Sequence, residues 1–64
     1  MKTQYDQDAD ALYVRFAEGK VIESEEVAPG VVIDFDGEGK IIAFELLSAS
    51  KQLAAGAIPS IAAE

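Results

Sequence analysis

Cysteine, histidine and tryptophan are all missing from this 64-residue chain. Without cysteine there is no disulfide, thiolate nucleophile or thiolate metal site. Without histidine the commonest general base and the commonest zinc ligand are gone. Basic residues are scarce. Lys2, Arg15, Lys20, Lys40 and Lys51 stand singly against 12 acidic residues, for a net charge of −7. Binding to phosphate backbones needs clustered Lys and Arg, so this balance argues against nucleic-acid and anionic-membrane partners. It favours solubility and steering toward a basic partner. No apolar run approaches the ~20 residues that cross a bilayer. None follows Met1-Lys2-Thr3 as a leader would, and a cytoplasmic location is the expectation.

Half of the residues are hydrophobic, which suffices for a folded core and argues against disorder. The length allows one domain, residues 1–64. A core of this size rarely contributes more than ~3–5 kcal/mol of net stability. With no covalent staple, self-association or a partner is the natural supplement.

Short alternating runs separated by turn residues predict strands within residues 2–47. Lys2–Tyr5 is a weak run, followed by a turn at Asp6-Gln7-Asp8-Ala9-Asp10. In Ala11–Phe16, Leu12, Val14 and Phe16 share one face, and Ala11, Tyr13 and Arg15 the other. Glu18-Gly19 has the spacing of a two-residue hairpin turn. Val21–Val27, with Glu23, Glu25 and Glu26, reads as a charged edge strand. Pro29-Gly30 suits a type II turn with positive φ at the glycine. Val31–Phe35 and Ile41–Leu47 are the last two strands, joined across Asp36-Gly37-Glu38-Gly39. Leu12, Ile33 and Phe44 should share one core.

At Ser48 the pattern becomes helical, over about 49–55. Ser48 is the expected N-cap, Gly56 the stop, and Pro59 a bar to continuation. So short a helix must dock to persist, here through Leu53 and neighbouring alanines. The tail, 57–64, is weakly patterned and reads as loop. The expected fold is α+β: an antiparallel β-meander of four to five strands followed by a short C-terminal helix. The helix covers one sheet face. The other carries Tyr13, Val32, Ile41 and Leu47 beside Arg15, Asp34 and Glu45. These seven residues are the candidate interface, because the helix is too short to cover them as well.

The residues Tyr5-Asp6 and Asp10-Ala11-Leu12-Tyr13-Val14 resemble the opening of the small bacterial proteins grouped as domain of unknown function 2283. The likeness runs on through Ser24-Glu25, Gly30–Asp36, Gly39-Lys40-Ile41-Ile42, Glu45-Leu46-Leu47 and Ala49-Ser50. It covers most of the chain from Tyr5 to Leu53. Where the family tends to have Gly-Ile, this chain has Ala43-Phe44, which adds volume in mid-strand. The resemblance implies a bacterial source and, by association only, an antitoxin-like role in a two-gene module. It implies no activity.

Chemical constellations are few. Asp6, Asp8 and Asp10 have the spacing of calcium ligands, but Ala11 and Ala17 stand where an EF-hand needs glycine and glutamate. Asp34, Asp36 and Glu38 precede Gly39 in a hairpin-like string. Both strings read as turns held by Asp side chains. Asp34 and Glu45 form a candidate acid–base pair across strands, with Arg15 the expected neutralising cation. The serines lack a histidine partner. No catalytic, cofactor-binding or metal-ligating residue is therefore assigned, and no cofactor is expected. The expected function is that of a protein–protein contact module, working as a homo-oligomer such as a dimer or on a basic protein. The dimer would bury the second sheet face, with Arg15 near Asp34 or Glu45 setting its register. The alternative is a small hydrolase or metal-binding protein whose acidic site is completed at a dimer interface.

Overall fold

The computed structural model describes residues 1–62, with side chains through residue 59. Its organising element is the strand Ile41–Leu47 (β5). Apolar residues occur at both parities of β5, so it needs neighbours on both edges and cover on both faces. It receives them. Lys2–Asp6 (β1), Ala11–Arg15 (β2), Glu23–Ala28 (β3) and Val31–Phe35 (β4) join it in one sheet, ordered β1-β2-β5-β4-β3. Every pairing is antiparallel. The charged β3 lies at an edge with all its residues exposed, as its glutamates require.

The α+β class, the five antiparallel strands and the C-terminal helical segment agree with the sequence. The expected hairpin at Glu18-Gly19 does not form. β2 pairs with β1 and β5, and the chain from Phe16 to Ile22 carries on past β5 and β4 to the far edge. Three strand spacings separate β2 from β3, about 14 Å, well within the reach of that segment. The sheet is thus a hairpin (β1–β2) and a meander (β3–β4–β5) joined along β2–β5. The connection is anchored at both ends. Phe16 N donates to Ile42 O at 2.9 Å, and Ile22 N to Phe35 O at 2.8 Å. In between, Gly19 (φ +139°) lies so close over Ile42 that a Cβ would sit 2.9 Å from its Cδ1. Arg15 also donates to the Gly19 carbonyl. Gly30 has φ +76°, as its turn demands.

The core lies on the face of Leu12, Val14 and Leu46, closed by Ala49 and flanked by Tyr5, Val31, Phe44, Leu53 and Ile58. Ile33 and Phe44 stand opposite one another on this face, but both are only half-buried. The helical segment covers one end of the sheet and leaves theirs open. Phe44 stacks instead on the exposed Phe16, with centroids 6.3 Å apart.

The C-terminal segment differs from the expected single helix. Ala49–Gln52 (α1) is one turn, and a second helix, Ala57–Ala62 (α2), follows Gly56. Pro59 falls in the first turn of α2, where its missing N–H has no intrahelical partner to lose. The tail therefore continues as helix where loop was expected. Residues 63 and 64 lie outside the described residues. Ser48 stands at the N-cap position but makes no side-chain cap bond, because its backbone is left-handed, with φ +52°. The cap comes from Asp10. Its Oδ1 accepts the Ser50 N–H at 3.0 Å and its Oδ2 the Ser50 hydroxyl at 2.7 Å, while its carbonyl accepts the Ala49 N–H at 2.8 Å. Tyr5 Oη also donates to Asp10, at 2.7 Å. One side chain thus ties the β1–β2 turn to α1 across 40 positions.

Candidate functional site

The ladder fixes which candidate residues meet on the second face. Tyr13, Glu45 and Val32 form one row across β2, β5 and β4, and Arg15, Ala43 and Asp34 the next. Leu47 stands opposite Ala11 in the following row. Ile41 is not among them. A bulge between Asp34 and Phe35 makes Ile42 the extra residue of β5, so Ile41 pairs with Phe35 on the core side. The bulge also explains why consecutive Ile42 and Ala43 are both buried.

The second face is partly covered by its own chain. The crossover loop lies over Ile42 and is held by Arg15, and here Ala43 and Asp34 are buried. What remains open is the part bearing Tyr13, Val32 and Glu45, all half-buried, and Leu47, 45 % exposed. This reduces the apolar surface that the sequence left for a dimer to bury there.

The chemistry of the face centres on two carboxyls. Asp34 is only 2 % exposed. Ser24 Oγ donates to its Oδ1 at 2.6 Å. Glu45, on the neighbouring strand, stands one diagonal step from Asp34 on the same face. Burial first, and then the neighbouring Asp34 carboxyl, raise Glu45 above its ordinary 4.5. The expected neutralisation of the pair by Arg15 is not found among the described residues. The Arg15 guanidinium donates to Tyr13 Oη at 3.0 Å and to the Gly19 carbonyl, both neutral acceptors. Asp34 lies a whole strand away from Arg15, and the guanidinium is engaged by Tyr13 and the crossover loop instead of Glu45, its diagonal neighbour on β5.

The raised Glu45 has a consequence for stability. The folded state holds a proton there that the unfolded chain releases near pH 4.5. That contribution is full below 4.5 and is lost as pH rises through the raised value. Glu45→Gln keeps the size of the side chain and cannot ionise. The melting temperature of the wild type is expected to decline from pH 4.5 upward more than that of Glu45→Gln, at constant ionic strength. Parallel curves would contradict a raised Glu45.

Both acidic strings are turns, as the sequence indicates. Asp6 Oδ1 accepts the Asp8 and Ala9 N–H groups at 3.0 and 3.2 Å. Asp36 Oδ1 accepts those of Glu38 and Lys40, both at 2.9 Å. Two open hollows exist, of about 380 and about 450 Å³. One is lined by Met1, Lys2, Arg15, Phe16, Ala17 and Glu18, the other by residues from Ile22 to Gly39 that include neither Asp34 nor Glu45. Sequence reasoning missed the crossover loop and the Asp10 tie. A signal for the latter existed in Asp10 and Ser50, but nothing local links them.

No curated protein and no solved structure matches the chain. One family does, over residues 2–50, and the chain belongs to it: the family described as protein of unknown function (DUF2283).

Proposed function

We propose that this domain is a protein-contact module that takes a basic partner on the open part of its second face. The observation that carries this reading is the Asp34–Glu45 pair, which has no cation bonded to it among the described residues and borders Tyr13, Val32 and Leu47. A partner's lysine or arginine seated at Glu45 would let both carboxyls ionise, with the apolar residues packing around the contact. The exposed glutamates of β3 and the net charge of −7 steer such a partner in. Association should tighten as pH rises through the raised Glu45 value and weaken with salt.

The alternative is a small hydrolase or metal-binding protein whose acidic site is completed at a dimer interface; neither of the two hollows described above is lined by the pair. The test is parallel isolation on immobilised wild type, Glu45→Lys and Val32→Asp from the cells that make the protein. A basic protein held by the wild type, eluted by salt and lost from both variants is the expected result. An identical set of proteins on all three would sink the reading.

A further inference from the structure

Among the described residues β1 forms one edge of the sheet, with no further strand beside it. In β2 the Phe16 N–H points at β5, so by alternation Leu12 and Val14 do also, and Ala11, Tyr13 and Arg15 turn toward β1. Their partners in β1 are Asp6, Gln4 and Lys2. The backbone N–H and C=O groups of Thr3 and Tyr5 therefore point outward along the edge. We propose that two copies join β1 to β1 in antiparallel register about Gln4, continuing the sheet across a two-fold axis.

That register sets Thr3 opposite the partner copy's Tyr5 in hydrogen-bonded pairs, which uses the four outward groups of each strand. Lys2 then faces Asp6 of the other copy, twice, on the second-face side, and opposite charges in direct cross-strand positions attract. The two Gln4 side chains meet at the axis, where each amide can donate and accept. Thr3 and Tyr5, both half-buried, extend the core side across the seam. The helix α2 rests on β1 and flanks the seam in each copy. A shift of two residues would place Lys2 against Gln4 and forfeit both charge pairs.

The other edge cannot do the same. Antiparallel self-pairing of β3 sets Glu23, Glu25 and Glu26 against one another, and a bulge between Glu26 and Ala28 interrupts the strand. A β1–β1 contact is isologous and closes after two copies, so it makes a dimer and not a filament. This surface is separate from the acidic face, and it stands or falls independently of the basic partner.

Sedimentation equilibrium of the full chain, from micromolar to near-millimolar concentration, is the first measurement, with dimer the expected species. Thr3→Pro removes an outward N–H while sparing the ladder to β2, and should weaken association about tenfold or more. Lys2→Glu and Asp6→Lys each set like charges in both contacts, weakening self-association by roughly 2- to 30-fold. Mixing these two variants re-pairs both contacts and should restore a dimer, which a folding defect in either variant could not do. A monomeric wild type, or a dimer indifferent to these changes and to mixing, would overturn the proposal. If Thr3→Pro fails to fold, the mixing experiment decides alone.

Discussion

Leu12→Ala is expected to leave the domain largely unfolded in water at room temperature. Leu12 is 4 % exposed and stands in the core with Val14, Leu46 and Ala49. Removing such a side chain costs ~2–5 kcal/mol, from lost transfer free energy plus the cavity left behind. The whole domain has only ~3–5 kcal/mol to lose, with no disulfide to restrain the unfolded chain. Phe44→Ala should cost clearly less, although phenylalanine is the larger residue. Phe44 is half-buried, and its ring stacks on the exposed Phe16 beyond the reach of the helices. Urea titration of both variants checks the order. A Phe44→Ala midpoint lower than that of Leu12→Ala would move the centre of the core toward the open end of the sheet.

Asp10→Ala should release the C-terminal helices while the sheet stays paired. The substitution removes the acceptor of the Tyr5 and Ser50 hydroxyls and of the Ser50 N–H. It also puts alanine at φ +52°, a region that aspartate tolerates better. A single turn such as α1 has no independent stability, so its docking depends on this tie, on Ala49 and on Leu53. Amide exchange should quicken at Ser50 and Leu53 and stay slow in β2 and β5. The acid limb follows from the same bonds. Hydrogen bonds from Tyr5 and then Ser50 hold Asp10 below its ordinary 3.8. The stability this contributes is present above 3.8 and is lost as pH falls through the lowered value. Asp10→Asn should flatten that limb. Unchanged exchange at Ser50 and Leu53 in Asp10→Ala would show that the helices are held by packing alone.

What the sequence made legible was local. Alternation located all five strands, and the glutamates of β3 marked an edge, because side-chain period and charge are properties of one segment. Strand order depends on partners far apart in the chain. Gly19 has the positive φ that a hairpin would use, yet the same freedom lets it lie over Ile42 in a crossover. The two-sided apolarity of β5 was visible and was read as an exposed face, when it is equally the mark of a central strand. In Ile41-Ile42, two adjacent isoleucines hide the bulge, since neither parity is distinguished by its chemistry. The same bulge takes Ile41 out of the candidate interface. Strand pairing makes Asp34 and Glu45 neighbours, as their sequence positions suggest, but the cation expected beside them lies elsewhere. Arg15 chose a carbonyl on a loop whose path no local pattern reveals.

Carboxyl footprinting of Glu45 tests the contact-module account most directly. The purified protein and the same protein in lysate of its native cells are labelled with a carbodiimide and a small amine at matched pH. Glu45 should label slowly in lysate and faster in purified form, and added salt should abolish the difference. Exposed Glu38 in the β4–β5 turn should label alike in both and serves as the internal control. Equal labelling of Glu45 in the two samples, at protein levels where a partner is in excess, would contradict the account.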